Sequence, residues 1–99
     1  HTASLDFAQL VRSACRLLRE GGRLSVILPT SEAWRFRFEA FGHLHLRRLT
    51  DVVTKEGGAP QRTLMEFQLT ESTPMPRCST LTIHSEDYQH LTNDFYLKF

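Results

Sequence analysis

Histidine and cysteine are the residue types in this 99-residue chain that most often bind metal ions. Of five histidines, His43 and His45 lie two residues apart in a segment predicted to be a strand, so their side chains share one side. A zinc site needs at least a third ligand, and neither Cys15 nor Cys78 lies at a local ligand spacing from them. We therefore interpret the histidines as solvated strand residues, predict no metal site, and expect free thiols rather than a disulfide.

The sequence shows neither a catalytic nucleophile nor a phosphate-binding loop. Ser25 lies in a predicted strand, without the Gly-x-Ser-x-Gly pattern that surrounds a nucleophile elbow. The pairs Gly21–Gly22 and Gly57–Gly58 lack the spacing of a phosphate loop between a strand and a helix. The carboxylates are scattered and form no paired-acid motif. The sequence therefore assigns no catalytic residue and no cofactor-binding residue.

Basic side chains next to aromatic ones are the more informative chemical feature. Arg35 and Arg37 alternate with aromatic residues in the segment WRFRF, and Lys55 and Arg62 border a loop with two glycines. Such neighbours suit contact with backbone phosphates and stacking on bases, so these four residues are candidate RNA-binding residues. The alternative is a solvated helix face whose aromatic residues belong to the core. The loop is the stronger candidate, because loops carry function more often than helices do.

The elements that must position these residues begin with a helix and an apolar strand. Apolar residues recur at helical spacing over about residues 4–20, with Ser4 or Asp6 as the N-cap. The strand Leu24–Leu28 contains only one polar residue, which is typical of a strand covered on both faces. Pro29 ends this strand.

A second helix and a hairpin follow. The helix is predicted to run to about Phe41, with Thr30 or Ser31 as its cap. A long strand, bulged near Arg47–Arg48, and the alternating strand RTLMEFQLT are predicted to form an antiparallel hairpin around the loop Lys55–Gln61. The closing segment STLTIHSEDYQHLTNDFYLKF is predicted to hold a final strand and then a short helix.

Length and composition predict a single domain, residues 1–99, with a modest core. A formal charge of +1 and 40% hydrophobic residues exclude a polyanion-binding tail and a disordered chain. No apolar run approaches the ~20 residues of a membrane span, and no signal peptide is visible. We therefore expect a cytoplasmic location and no membrane association. The order α, β, α, β, β, β, α is typical of an α/β protein whose sheet ends in an antiparallel pair.

Four segments resemble a known family in their order and spacing: HTASLDF, LLREGGRLSVILP, LTDVVTKEGGAPQRTLMEF and DFYL. The family is the bacterial tRNA (adenine-N(6))-methyltransferases that act on valine tRNA, and the resemblance is to their C-terminal part. It implies an α/β fold that is the C-terminal part of a Rossmann-like class I methyltransferase sheet, with S-adenosylmethionine as cofactor and tRNA as partner of the parent protein. The cofactor loop and the Asn-Pro-Pro-aromatic motif of such proteins lie upstream of His1. The resemblance therefore transfers no catalytic residue.

The resemblance also implies where a substrate site would lie. His1 and Thr2 would closely follow the catalytic motif. Pro29, Thr30 and Ser31 would lie beyond the carboxyl end of the apolar strand, where open α/β sheets bind ligands. These five are candidate residues of the rim of the substrate site. The chain alone, as a fragment of a larger methyltransferase domain, is expected to be inactive and to bind no cofactor.

The same resemblance makes Leu24–Leu28 a parallel-type strand between helices, with its neighbour on the absent upstream segment. We then expect an open apolar edge, and self-association of the chain through this strand or the first helix. The alternative is a stand-alone small α/β binding or assembly module without enzyme activity. A reading frame that continues upstream with a glycine-rich loop would favour the fragment.

Overall fold

The computed structural model describes residues 6–70, 75–83 and 96–98. The described residues form two helices and five strands, which confirms the predicted α/β class. In chain order these elements are α1 (Phe7–Leu17), β1 (Arg23–Pro29), α2 (Thr30–Ala40), β2 (His45–Val53), β3 (Arg62–Gln68), β4 (Arg77–Thr82) and β5 (Tyr96–Lys98).

The five strands form one mixed sheet in the order β4-β2-β3-β1-β5. β3 lies between β1 and β2 and runs antiparallel to both, whereas β4 runs parallel to β2. The predicted hairpin of β2 and β3 is confirmed. The predicted bulge is confirmed too, because the register shifts between Leu46 and Arg48. β3 is therefore the central strand, with a hydrogen-bonded neighbour on each side.

Local signals in the sequence set the ends of α1. Asp6 is the N-cap, and its Oδ1 accepts a hydrogen bond from the backbone N–H of Gln9 over 3.1 Å. The helix ends at Leu17, earlier than predicted, because the backbone of Leu18 is already extended. Gly21 then turns the chain with a φ of +85°, a conformation that glycine adopts without strain.

The N-terminus of α2 differs from the prediction. Thr30 is the first residue of the helix and Pro29 is the N-cap, which makes no side-chain capping bond, so a cap at Thr30 or Ser31 is wrong. The physical reason is that the Thr30 hydroxyl is bonded across the sheet instead, to Thr63. At the other end α2 stops at Ala40, close to the predicted end.

Both helices contribute to one hydrophobic cluster on a single face of the sheet. Phe36 of α2 is fully buried at its centre, with its ring centroid 5.3 Å from that of Phe7 and 5.4 Å from that of Phe67. Alternate residues of β1 point into the same cluster, as the two-residue period of a strand requires. On α2 the stripe that faces this core consists of Ala33, Phe36 and Ala40.

The expected open edge at Leu24–Leu28 is a wrong prediction for most of that strand. β1 pairs with β3 on one side, and Ser25–Ile27 pair with β5 on the other. Both neighbours run antiparallel to β1, so among the described strands it is not a parallel-type strand. The backbone groups of Ser25–Ile27 therefore have partners within the chain, and self-association through this edge is not supported. The predicted strand STLTIH is confirmed as β4, but it is not the final strand, because Tyr96–Lys98, in the segment predicted to be a closing helix, forms β5 beside β1. Residues 84–95, where that helix was predicted to begin at Ser85, lie outside the described residues.

Candidate functional site

The carboxyl end of β1 brings two groups of predicted site residues together. Pro29, the last residue of β1, pairs with Arg62, the first residue of β3. The backbone N–H of Thr30 donates to the carbonyl oxygen of Gln61 over 3.1 Å. The described rim candidates therefore lie beside the end of the loop that links β2 to β3, residues 54–61, which we call the hairpin loop.

Three polar side chains form a hydrogen-bonded chain at this end of the sheet. Thr63 Oγ1 lies 3.1 Å from Asp51 Oδ1 and 3.0 Å from Thr30 Oγ1. A carboxylate oxygen only accepts, so Thr63 donates to Asp51, and its single proton leaves Thr30 as the donor in the second bond. Thr63 is 2% exposed, so these bonds are made largely out of contact with water. These two hydrogen bonds hold the turn after β1 to both strands of the hairpin.

Sequence reasoning gave no role to Asp51 or Thr63. A usable signal existed, because Thr63 occupies the same face of an alternating strand as Met65 and Phe67, which are core residues. A buried hydroxyl needs a hydrogen-bond partner, and Asp51 is the residue directly opposite Thr63 in the register of β2 and β3. Finding that partner requires the register, which the sequence alone does not specify across a bulge.

Lys55 and Arg62 lie at the same end of the sheet as Thr30. Lys55 is exposed in the hairpin loop, where its carbonyl oxygen accepts a hydrogen bond from Gly58 N–H over 2.9 Å. Arg62 is half-buried at the start of β3. The structure thus places Arg62 next to the rim and Lys55 in the adjoining hairpin loop, and their contact with RNA stays a prediction.

Arg35 and Arg37 lie on α2 instead. Arg35 forms an ion pair with Glu32, and its guanidinium carbon lies 5.1 Å from the centroid of the Phe7 ring. Arg37 is exposed in the last turn of the helix. The structure does not bring either arginine into the hydrogen-bonded chain around Thr63. Of the two, Arg35 already has partners within the protein.

The aromatic residues of α2 divide between core and surface. Trp34, Phe38 and Phe41 are 64%, 75% and 84% exposed, whereas Phe36 is buried. Trp34 and Phe38 line an open cleft of about 380 Å³ that also contacts Phe7 of α1. The assignment of the α2 aromatics to the core therefore holds for Phe36 and fails for the other three. Exposed rings are the geometry that stacking on a base requires.

The remaining predicted residues have these positions. Ser31 is exposed in the first turn of α2, and His1 and Thr2 lie outside the described residues. Within residues 6–70, 75–83 and 96–98 there is no group of three or more His, Cys, Asp or Glu side chains arranged to hold a metal ion. Cys15 and Cys78 are free thiols. In the described part of the chain, no helix combines the length and the apolar character needed to cross a membrane.

Curated relatives match almost the whole chain, although no known protein-family model does. A tRNA1(Val) (adenine(37)-N6)-methyltransferase of Phocaeicola vulgatus is 39% identical over 106 residues, covering 98% of this chain and 44% of that protein. The proteins of the same name from Bacteroides thetaiotaomicron and Aliivibrio fischeri are 30% and 40% identical, each covering 98% of this chain. The chain spans about 43% of the length of these last two relatives.

The fold and these relatives define the class of protein to which this segment is homologous. That class is the RNA-modifying methyltransferases, and the α/β segment matches part of them. Within that class, its homologues are the bacterial tRNA1(Val) (adenine(37)-N6)-methyltransferases, and the resemblance of the chain to their C-terminal part is confirmed. The match covers 98% of the polypeptide. The matched segment therefore includes β1, the hairpin and the hydrogen-bonded side chains around Thr63.

Proposed function

We propose that this chain is the C-terminal segment of an S-adenosylmethionine-dependent methyltransferase that methylates N6 of an adenine in tRNA in the cytoplasm. The observation that carries the proposal is the match over 98% of the chain to proteins named for this reaction, in species as different as Phocaeicola vulgatus and Aliivibrio fischeri. Because the chain spans less than half of those proteins, the activity belongs to the whole protein.

The role we propose for the segment is to form the C-terminal part of a Rossmann-like domain and one wall of its substrate site. Supporting this, α1, β1 and α2 follow one another in an α/β alternation, with both helices on one face. Ligands of open α/β sheets bind beyond the carboxyl ends of the strands, and the hydrogen-bonded chain around Thr63 lies at that end of β1. The rim residues proposed there are Pro29, Thr30 and Ser31, with His1 and Thr2.

We infer that the described strand-to-helix turn does not form the site for S-adenosylmethionine. The described strand-to-helix turn between β1 and α2 consists of Pro29 and Thr30, where Pro29 has no N–H and Thr30 donates its N–H to Gln61. A cofactor loop at such a turn needs glycines and free backbone N–H groups. We therefore assign cofactor binding and catalysis to the upstream part of the protein. The segment would instead contact the flipped base and the RNA around it, which such chemistry requires.

The test uses the full-length protein that contains this segment. Purified protein, S-adenosylmethionine and a tRNA1(Val) transcript should give N6-methyladenine at position 37, detected by nuclease digestion and mass spectrometry. A transcript with guanine at position 37 is the matched control and should remain unmodified at that position. Absence of methyl transfer to the adenine transcript, by protein that is folded by circular dichroism, would overturn the proposal.

A further inference from the structure

Two arginines of neighbouring strands lie directly opposite each other at one edge of the sheet. Arg48 of β2 pairs in register with Arg77 of β4, and both side chains are exposed. Neither makes an ion pair or a hydrogen bond with the described part of the chain. Like charges directly opposite each other destabilise a sheet, so this arrangement stores a repulsion that a bound anion would relieve.

Two hydroxyl groups lie next to the arginines on the same side of the sheet. Thr50 and Ser79 follow Arg48 and Arg77 by two residues, and their side-chain oxygens are 3.1 Å apart. One hydroxyl proton is used in that bond, which leaves the other free to be donated outward. The four side chains and Cys78 line an open cleft of about 560 Å³. The cleft therefore offers two guanidinium groups and a hydroxyl proton as donors.

Among the described residues, the carboxylate opposite Arg48 on this face is already shared between two other arginines. Glu66 of β3 lies opposite Arg48 in register, but its Oε1 is 3.4 Å from Arg23 and 3.9 Å from Arg47. Arg47 also donates to Gln68 Oε1 over 3.0 Å. Three arginines on β1 and β2 thus surround one carboxylate, and a fourth, Arg77, adds to the excess. Counted over the described residues, the charge of this sheet face favours an anion.

We propose that Arg48, Arg77, Thr50 and Ser79 bind a phosphodiester group of the RNA backbone. The proposal rests on the proposed function, which supplies an RNA as the substrate. Guanidinium groups bind phosphate oxygens through paired, charge-assisted hydrogen bonds, and a hydroxyl adds a third donor. An open cleft without aromatic lining suits a backbone contact that positions the RNA without reading its sequence.

The experiment measures the affinity of the full-length protein for tRNA by fluorescence anisotropy at several salt concentrations. The test variant carries Arg48→Gln and Arg77→Gln. A phosphate contact contributes about 0.7–0.9 to the slope of log Kd against log salt, so the slope should fall by about that amount. Between about 50 and 200 mM salt, the ratio of the two Kd values should then be about threefold smaller than in the wild type.

Two control variants separate the site from general charge. Arg12→Gln with Arg16→Gln removes the same charge from exposed positions of α1, which packs on the other face of the sheet, and should leave the slope unchanged. Arg48→Lys with Arg77→Lys keeps the charge and should keep most of the slope. The glutamine variant should melt no lower than the wild type, because removing the repulsion costs no stability.

The outcomes separate this inference from the proposed function. Wild-type protein that neither binds nor methylates tRNA overturns the proposed function and this site with it. Wild-type protein that methylates tRNA, with a slope identical in the glutamine variant, overturns the site alone. If millimolar orthophosphate raises the melting temperature of the wild type only, while the tRNA slope is equal in both proteins, the site binds free phosphate and the RNA assignment is wrong.

Discussion

Replacing Thr63 with Val tests the hydrogen-bonded chain that joins the hairpin to the start of α2. Thr63 is 2% exposed, and its hydroxyl bonds to Asp51 Oδ1 at 3.1 Å and to Thr30 Oγ1 at 3.0 Å. Valine has nearly the same shape, so the change removes the hydroxyl and leaves the packing against the core in place. Any loss of stability then reports the two bonds rather than a cavity.

The expected loss follows from the kind of bond. A neutral hydrogen bond contributes about 0.5–1.5 kcal/mol, and one to a charged group contributes about 1.5–3 kcal/mol. The sum for Thr63 is about 2–4.5 kcal/mol, but Asp51 is half-buried and water can replace part of its lost bond. We therefore expect the free energy of unfolding to fall by about 2 kcal/mol.

Urea unfolding of the full-length protein, followed by circular dichroism, measures this change. Thr50→Val is the matched control, because Thr50 also makes one hydroxyl–hydroxyl bond, to Ser79, but both residues are accessible to water. The control should lose less than about 0.5 kcal/mol, the usual range for a surface substitution. Equal losses of unfolding free energy in the two variants would contradict the proposed role of the buried hydrogen bonds of Thr63. A loss for Thr63→Val below about 0.5 kcal/mol would contradict it as well.

Three further experiments test the core, a turn and the hairpin loop. Phe36→Ala should cost about 3–5 kcal/mol in urea unfolding, whereas Phe38→Ala, at a side chain 75% exposed, should change stability by less than about 0.5 kcal/mol. Gly42→Ala should lower the unfolding free energy by about 1 kcal/mol, because φ is +85° while the added methyl group meets no atom within 4 Å. Lys55→Ala with Arg62→Ala should weaken tRNA binding and lower its salt slope by at most about two; unchanged anisotropy curves would refute that role.

Local patterns predicted the elements whose cause is local. Asp6 caps α1 because its side chain reaches a backbone N–H three residues away, and that relation is visible in the sequence. The hairpin follows from alternation in both strands and glycines between them, and the slip at Arg47–Arg48 appears in the structure as a bulge. In each case the determinants lie within a few residues of one another.

The predictions that failed depend on contacts between distant parts of the chain. Periodicity could not show which side of α2 faces the core, because aromatic residues occupy both the buried and the exposed side. The buried side is set by the packing of Phe36 against Phe7 and Phe67. The pairing of β5 with β1 joins segments about seventy residues apart, and no local pattern encodes it. The hydrogen bonds around Thr63 could not be predicted either, because they depend on the register of two strands across a bulge.

If the cleft and the hairpin loop bind RNA as proposed, the positions of the basic groups favour one RNA path along β2. Arg48 lies five residues before Val53, the end of that strand, which is about 16 Å at the rise of a strand, and the hairpin loop with Lys55 follows directly. Arg48 shares the face of Glu66, opposite to the face of Met65 that the helices cover. Arg35 and Arg37 lie on α2, beyond that covered face. Under that proposal a single stretch of RNA contacts the cleft and the hairpin loop together, and it would reach α2 only by passing around the sheet. The salt slopes lost at the cleft and at the loop should accordingly add in a combined variant, because each site neutralises a different phosphate.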